Sequence, residues 1–388
     1  MQNKSWPTKK LGELTDVRMG ETLIKKDLTG DGTPIFSAGI DIKPWGFTKK
    51  NTLTFSKNSI VLSARGTIGE PRLPLLKKFT ATQTTIVVTN KSENVLDTIF
   101  LWRFLQTFNF NTIKNQAAIP MMTVSDVNKT EILLPPLKIQ KRIVAKIEEL
   151  FEKIDKTKEL REKAQEQTAE ILQSALQEAF SKAEKKWGLK KLGDPKVATI
   201  TSGGTPTRGV EKYYQGGVIL WLKSGELNDN ENIVTSEEYI TEIALKESSA
   251  KIFPVNTVLI AIYGATVGKV GILKKTSATN QAIAGINPNK KILDYKFLFN
   301  YLIWKRSFLM WRSFGGAQPN ISQNIIKKLE IPFPPLSEQK KIVIYLDALR
   351  EKVEKLKVFQ EQQAKELEEL KKSILEKAFS GKLINEKK

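Results

Sequence analysis

The sequence repeats itself at a fixed distance, and this repeat constrains the fold more than any other feature. Residues 132–144 and 331–343 share the pattern Pro-Pro-Leu-x-x-Gln-x-x-Ile at an offset of 199 residues. Ala179-Phe180-Ser181 returns as Ala378-Phe379-Ser380 at the same offset. A long internal repeat of this kind predicts two copies of one structural unit.

The start of each copy is spaced differently from its end. Trp6 and the run Lys9-Lys10-Leu11-Gly12 return as Trp187 and residues 190–193, at an offset of only 181. Residues 65–69 match 264–268, and Thr82-Gln83 matches Asn280-Gln281, whereas residues 15–20 differ from 201–206, the residues that stand in their place in the second half. The first globular stretch therefore lacks about 18 residues that the second has, whereas the stretches after the prolines keep their length.

Four segments follow from these anchors, and two compact domains are expected for a chain of 388 residues. We predict globular domains over 1–134 and 187–333, and long helices within 135–186 and 334–388. Short β-type runs at 59–63 and 84–88, with helical segments at 98–106 and 295–308, indicate an α+β fold with mainly antiparallel strands. Trp102, Trp304 and Trp311 lie at apolar helical spacing and are assigned to the cores.

The stretches after the prolines have apolar residues at the alternating spacing of four and three that is typical of a coiled coil. Both series become polar midway, at Arg161 in one and at Gln360 and Gln363 in the other, and Ser337 is a candidate N-cap. The first helix leads from the first globular domain to the second domain. The second helix starts at the second domain. We therefore expect antiparallel pairing and a pseudo-two-fold, circular organisation. The residues predicted to pair the helices are Ile143, Ile147, Leu150, Ile154, Ile171, Ile342, Leu346, Leu349, Val353, Leu367, Leu370 and Ile374.

Composition excludes several kinds of chemistry. The chain has no cysteine and no histidine, so thiol nucleophiles, disulfides, Cys/His zinc sites and imidazole acid–base catalysis are absent. No apolar stretch approaches a membrane span, and we expect a cytoplasmic protein with no membrane contact. The formal net charge is +20, and about fifteen of these charges lie in the globular stretches. Such a charge fits either a polyanionic partner or simply a basic surface.

One glycine-rich run invites comparison with a phosphate-binding loop. Gly264-Ala-Thr-Val-Gly268-Lys269 is one residue short between its glycines, and Val270 replaces the required Ser or Thr. The matching run in the first half ends Gly69-Glu70 and has no lysine. We interpret both runs as tight turns, and the sequence predicts neither a catalytic site nor a metal site.

The polar loops are better candidates for contacts with DNA. Arginine pairs with guanine and asparagine or glutamine with adenine, while lysine binds phosphates. A role in stabilising turns is the alternative for each residue, above all for Gln83 and Gln281, which recur in both halves. The predicted DNA-binding residues are Arg65, Thr67, Gln83, Lys114, Gln116, Arg208, Lys223, Tyr263, Thr266, Lys269, Asn280, Gln281, Gln318 and Asn320.

Taken in order, these motifs resemble the specificity subunits of type I restriction-modification systems over essentially the whole chain. The resemblance rests on the duplicated Pro-Pro-Leu-x-x-Gln-x-x-Ile segments, the Lys-Leu-Gly starts, the Ala-Phe-Ser helix ends, Thr201-Ser-Gly-Gly-Thr-Pro206 and Thr279-Asn-Gln-Ala282. It implies two target-recognition domains, each reading half of a bipartite site on double-stranded DNA. The long helices would set the distance between the half-sites.

The resemblance also implies partners. Two DNA methyltransferase subunits carrying S-adenosylmethionine, and restriction or translocase subunits, would assemble on a chain that has no cofactor and no enzymatic activity of its own. The first half departs from the pattern at 15–20 and at Lys138-Ile139, where the second half has Ser337-Glu338. Two alternatives stay open: a self-contained modification enzyme, and a coiled-coil scaffold that binds proteins without reading DNA.

Overall fold

The computed structural model describes residues 6–112, 121–264, 266–313 and 320–384. The chain divides into two compact units. Unit 1 contains residues 1–162 and 361–388, and unit 2 contains residues 163–360. Each unit thus consists of one globular stretch together with a part of each long helix. Within the described ranges, no helix is both long enough and apolar enough to cross a bilayer.

The elements follow the two halves of the sequence. In the first half they are β1 (Thr8–Lys10), α1 (Leu11–Leu14), β2 (Thr15–Met19), β3 (Thr33–Phe36), β4 (Gly46–Thr48), β5 (Ser59–Ser63), β6 (Gly69–Arg72), β7 (Thr80–Ala81), β8 (Thr85–Asn90), α2 (Thr98–Leu105), α3 (Val124–Lys129), β9 (Glu131–Leu133) and the long helix α4 (Leu137–Lys186). In the second half they are β10 (Leu189–Lys191), β11 (Ala198–Ser202), β12 (Ile219–Leu222), β13 (Asn230–Ile233), β14 (Tyr239–Ile240), α5 (Glu242–Glu247), β15 (Ile252–Phe253), β16 (Val258–Ala261), β17 (Val270–Leu273), β18 (Ser277–Thr279), β19 (Ile283–Pro288), α6 (Tyr295–Trp304), α7 (Arg306–Ser313), α8 (Gln323–Lys327), β20 (Glu330–Pro332) and the long helix α9 (Leu336–Phe379).

Unit 1 is built on two sheets and a ribbon. The larger sheet has the order β2-β8-β5-β6, with all its neighbours antiparallel. The smaller sheet has the order β4-β3-β7, in which β3 and β7 are parallel, and β1 pairs with β9. Every residue of β5 is buried, because this strand is central in its sheet. Helix α2 supplies Phe100, Leu101 and Leu105 to the core beneath the larger sheet.

Unit 2 repeats this plan with additions. Its larger sheet has the order β11-β19-β16-β17-β13 and its smaller sheet the order β14-β12-β18-β15, with β10 paired to β20. The parallel pair β12–β18 corresponds to β3–β7 of unit 1. Strand β13 and helix α5 have no named counterpart in unit 1, whereas the pairing of β15 with β18 at Phe253 and Ser277 corresponds to the bridge between Phe55 and Phe79. The prediction of a mixed fold with mainly antiparallel strands is confirmed.

The two long helices pair within each unit. In unit 1, Lys158 Nζ lies 3.3 Å from Glu368 Oε1 and Lys371 Nζ lies 2.5 Å from Asp155 Oδ1, so the two helix segments are antiparallel. In unit 2, the Gln360 side-chain amide donates to the Thr168 hydroxyl at 3.1 Å in a buried setting. Gln360 is one of the residues predicted to form the polar centre, and its partner in the structure is Thr168. The pseudo-two-fold, circular organisation of the whole chain stays a prediction.

Ten of the twelve residues predicted to pair the helices are buried or partly buried. Ile143, Ile147, Ile154, Leu346, Val353 and Ile374 are buried, and Leu150, Ile342, Leu349 and Leu367 pack partly buried against the two cores. Most of them therefore contribute to the core of their own unit. The seam of the helices and the cores of the globular stretches are continuous.

For two of the residues predicted to pair the helices, the prediction is wrong. Ile171 and Leu370 are 39% and 47% exposed, and the partly buried positions beside them are Leu172 and Lys371. Because an α-helix has 3.6 residues per turn rather than 3.5, the inward face drifts by about 20° per heptad, and over the four heptads from Ile143 to Ile171 or from Ile342 to Leu370 this approaches the roughly 100° between neighbouring residues. A strict heptad count therefore assigned the wrong neighbour in both helices.

Two further predictions are wrong. Trp311 is 66% exposed on α7, whereas Trp304 is buried and Trp102 is partly buried. Ser337 is not an N-cap, because α9 already begins at Leu336 and the first free amides donate to the carbonyl of Pro335.

The repeated glutamine of the Pro-Pro-Leu-x-x-Gln segments explains why these segments are so alike. Gln140 is fully buried, and its amide donates to the carbonyls of Pro135 at 2.9 Å and Val95 at 3.0 Å. Gln339 donates in the same way to Pro334 and Ile292, both at 2.9 Å. In each unit this one side chain ties the start of a long helix to the loop before the helix of the globular stretch.

Candidate nucleic-acid interface

Both units have the same polar arrangement at one end of the larger sheet. In unit 1 the Thr22 hydroxyl donates to Gln83 Oε1 at 2.9 Å. In unit 2 the Thr205 hydroxyl donates to Gln281 Oε1. The backbone supports both pairs identically, since Glu21 N donates to the carbonyl of Ala81 and Gly204 N to that of Thr279, each at 2.9 Å.

A glycine before each threonine makes the arrangement possible. A Cβ atom at Gly20 would overlap the carbonyl oxygen of Thr82, and one at Gly203 would overlap the side chain and carbonyl of Thr279. Close backbone approach of this kind admits only glycine. The repeated signal is therefore Gly-x-Thr, at Gly20-Glu21-Thr22 and Gly203-Gly204-Thr205.

This pairing corrects the alignment of the two halves. Residues 15–20 were matched with 201–206, but β2 and β11 correspond at an offset of 183, three residues away from that match. The sequence analysis overlooked both threonines for this reason. The Gly-x-Thr spacing was a sufficient signal to find them.

A second correction concerns the neighbouring loop. Ala64 N donates to the carbonyl of Thr84 at 2.9 Å, and Ile262 N donates to that of Ala282 at 2.8 Å, so the residues that follow, Arg65 and Tyr263, are equivalent. Arg65 had been matched with Gly264. The glycines after the equivalent residues, Gly66 and Gly264, have φ of 73° and 90°, which the tight turn requires.

Each Thr–Gln pair has two neighbours that differ between the units. In unit 1 they are Arg65 and Met121, and the Arg65 Nε donates to Met121 Sδ at 3.2 Å. In unit 2 they are Tyr263 and Asn320, which form an isolated antiparallel bridge. We name Thr22, Arg65, Gln83 and Met121 the unit-1 edge, and Thr205, Tyr263, Gln281 and Asn320 the unit-2 edge.

The two edges present different chemistry to solvent. Arg65 and Gln83 are exposed, whereas Tyr263 is partly buried. Burial raises the pKa of the Tyr263 phenol, and a hydrogen bond with the Gln281 side chain acts in the opposite direction. Unit 1 therefore offers an arginine beside its glutamine, and unit 2 offers a neutral phenol and an amide.

Several other candidates in unit 2 are engaged within the protein. Lys269 Nζ lies 3.3 Å from Asp229 Oδ2. The Thr266 hydroxyl donates to the carbonyl of Ser224 at 3.0 Å. Asn280 accepts from the amide of Ala282 at 3.1 Å in a turn of its own backbone. Each of these three side chains thus already has a partner within unit 2.

Arg208 and Lys223 share one carboxylate. Arg208 Nη1 lies 2.7 Å and Lys223 Nζ 3.1 Å from Glu238, whose pKa is lowered chiefly by the hydrogen bond from Arg208. Arg208 also stacks over the ring of Trp221, 4.9 Å from its centroid. They form a partly exposed basic group that connects to the unit-2 edge through Trp221, whose Nε1 donates at 3.0 Å to the carbonyl of Gly204, the residue before Thr205.

The remaining candidates are Thr67, which is exposed in the loop after Arg65, and three residues whose positions lie outside the described residues. Those three are Lys114, Gln116 and Gln318. Within the described ranges, no group of three or more carboxylates is placed to hold a metal ion.

Comparison with known proteins gives one family. The family model for the type I restriction modification DNA specificity domain matches residues 3–166 and again residues 184–368. The two matches follow the internal repeat and together cover most of the chain.

Individual relatives agree with the family model. The MjaIX specificity subunit of Methanocaldococcus jannaschii is 33% identical over 46% of this chain, and the EcoR124I/EcoR124II specificity subunit of Escherichia coli is 28% identical over 44%. The chain spans only 41% and 42% of the lengths of these two relatives. The EcoDI specificity subunit of Escherichia coli is 23% identical over 97% of this chain and 88% of its own length.

Solved structures show the same fold over the whole chain. The HsdS subunit from Thermoanaerobacter tengcongensis is similar with a TM-score of 0.63 and 25% identity, covering 98% of each chain. A chain from a structural study of complex assembly and conformational transition in the type I R-M system has a TM-score of 0.75 and 24% identity, covering 99% of this chain and 100% of its own. The chain belongs to the family of type I restriction-modification specificity subunits.

Proposed function

We propose that this chain is the sequence-specific DNA-binding subunit of a type I restriction-modification complex, and that it recognises a bipartite target, one part with each unit. The observation that carries the proposal is the repeated Thr–Gln pair with different neighbours in the two units. A shared scaffold with substituted side chains at its rim is what two readers of different sequences need.

Charge supports a contact with duplex DNA. Net charge is +20, with the excess concentrated in the globular stretches. Lysine and arginine side chains near phosphates release condensed counterions, so binding would weaken steeply as salt rises. Phosphate contacts would hold each unit in register while the two edges face the bases.

The methyltransferase and restriction subunits would supply the chemistry. S-adenosylmethionine would bind to the methyltransferase subunits, and this chain would act without a cofactor or a catalytic step. Recruitment of protein partners is supported by apolar side chains that α9 exposes within unit 2. Ile344, Tyr345, Val358 and Phe359 are 68%, 53%, 60% and 57% exposed. The two pairs are 14 residues apart and lie on a similar face of the helix.

Selection of duplexes from a random library tests this function. The chain co-purified with its methyltransferase subunits is expected to enrich two specified sequences separated by a fixed unspecified spacer. Enrichment of no sequence would leave the second candidate, a coiled-coil scaffold that binds proteins alone, which the same exposed apolar residues favour. Methyl transfer to DNA by the purified chain alone would instead establish a self-contained enzyme.

A further inference from the structure

The two edges differ most at one equivalent position, where unit 1 has Arg65 and unit 2 has Tyr263. We propose that this position determines specificity in each half-site, and that Arg65 reads a guanine in the half-site bound by unit 1. This inference rests on the proposed function, because it names the base that one reader recognises.

The backbone beneath the Arg65 and Tyr263 side chains is the same in both units. Ala64 and Ile262 make equivalent backbone hydrogen bonds through both their amide and their carbonyl groups. Each receives a bond from the segment that precedes α3 or α8, from Met122 N at 3.1 Å and from Ile321 N at 2.7 Å. The next residue therefore leaves the sheet at the same place in both units. Only its side chain differs.

The Arg65 guanidinium keeps two of its nitrogens available for an external acceptor. Its Nε donates to Met121 Sδ at 3.2 Å, which fixes the direction of the side chain. Among the residues that the structure describes, no acceptor is recorded for Nη1 or Nη2 of Arg65, and no carboxylate pairs with it. Two donors in a planar fork match O6 and N7 of guanine in the major groove.

The side-chain amide of Gln83, in the same edge as Arg65, is held in one orientation. Thr22 occupies one lone pair of Gln83 Oε1, so the amide is held with its oxygen toward Thr22 and its NH₂ group turned away. The fixed amide limits the positions that a base can take beside Arg65. Thr22 is thus a positioning residue for this reader.

The unit-2 edge has no guanidinium at the position equivalent to Arg65. The Gln281 side chain accepts a hydrogen bond from the Thr205 hydroxyl, and it lies near enough to the phenol of Tyr263 to oppose the effect of burial on the pKa of that phenol. Tyr263 carries no charge and has a single hydroxyl. Unit 2 therefore lacks the forked donor, and its half-site is expected not to require guanine at the equivalent position.

The test uses the chain co-expressed with the methyltransferase subunits of its system and selection from random duplexes. The parent is expected to select a two-part sequence with a guanine in one part. Arg65→Lys keeps the charge but loses the fork, and it is expected to relax that single position while the other part stays unchanged. Affinity for the parent sequence should fall about 5- to 150-fold. Arg18→Lys is the matched control, since Arg18 is an exposed arginine of the same unit that pairs with Asp16 at 2.8 Å.

The outcomes separate the two proposals. If the parent selects no two-part sequence, the proposed function itself fails. If the parent selects one but Arg65→Lys selects the identical sequence, or relaxes a position in the other part, only the assignment of Arg65 is overturned. Relaxation at an adenine or a pyrimidine with no guanine on either strand would also overturn it.

Discussion

The side chain of Gln140 accepts a hydrogen bond from the backbone amide of Asp97 at 2.8 Å, and Gln339 accepts the same bond from Asp294 at 2.8 Å. Asp97 and Asp294 in turn cap the helices α2 and α6 through their carboxylates. Both glutamines are fully buried. One polar side chain thus connects the start of each long helix to the cap of the helix that packs beneath the sheet.

Replacing this glutamine should destabilise one unit. Gln140→Ala leaves the amide of Asp97 and the carbonyls of Val95 and Pro135 without partners inside the protein. Unpaired buried groups of this kind cost about 1–3 kcal/mol each, and water entering the gap would recover a part. We expect unfolding of unit 1 at lower temperature in calorimetry, while unit 2 keeps its transition. Gln165→Ala on the exposed face of α4 is the control, and equal unfolding temperatures for the two variants would contradict the role of Gln140.

The threonines of the two edges should act through their glutamines. Thr22→Val removes the hydroxyl but keeps the shape of the side chain, so the amide of Gln83 becomes free to rotate. We expect weaker discrimination in the half-site of unit 1 only, measured by selection from random duplexes, and recovery in Thr22→Ser. Thr205→Val should do the same in the other half-site through Gln281. Loss of discrimination in both half-sites from a single substitution would argue against two separate readers.

Phosphate contacts should appear in the salt dependence of binding. Lys25 and Lys26 are exposed on the short 3-10 helix after Thr22, and within the described residues neither has an ion pair. Lys25→Gln and Lys26→Gln are each expected to reduce the slope of log affinity against log salt by about 0.9, with the selected sequence unchanged. Lys153→Gln, on α4 and paired with Glu149 at 2.6 Å, should leave the slope as it is. A shift in selected sequence would show that the two lysines touch bases.

A charged cluster in unit 2 should stabilise the strand that unit 1 lacks. Glu231 of β13 pairs with Arg350 and lies 3.2 Å from Lys296, which also lies 2.6 Å from Asp347. Burial lowers the pKa of Lys296, but the hydrogen bond to Asp347 and the charge of Glu231 together raise it. Glu231→Gln leaves two cations facing one carboxylate, and we expect a loss of about 1.5–3 kcal/mol, the contribution of hydrogen bonds to charged groups. Glu237→Gln, at a mostly exposed carboxylate, should change the unfolding temperature by much less.

The sequence predicted the parts of the fold that depend on periodicity and on the repeat. The two long helices and the strand at Ser59–Ser63 agree with the structure, because the hydrophobic period and the turn residues determine them locally. The heptad pattern predicted buried positions at Ile171 and Leu370, but both residues are exposed, because a drift of one residue exchanges an inward position for an outward one. The assignment of Trp311 to a core was wrong, because an apolar residue in a helical pattern need not face a core.

The candidate site was predicted less completely. Arg65, Gln83, Tyr263, Gln281 and Asn320 lie at the two edges, but their hydrogen bonds depend on strand pairing that no local pattern contains. Thr22 and Thr205 were overlooked because their segments were aligned three residues out of register. Lys269 and Thr266 were selected for residue type, and only the folded chain shows that Asp229 and Ser224 bind them.

The most direct measurement of the central claim is the sequence selected by the complex after the edges are exchanged. Arg65→Tyr with Met121→Asn gives unit 1 the variable pair of unit 2, while both Thr–Gln pairs stay intact. The account predicts that the half-site bound by unit 1 changes its preference at the guanine position, with the second half-site and the spacer unchanged. An unchanged selected sequence, or a change in both half-sites together, would contradict the account of two independent readers on a repeated scaffold.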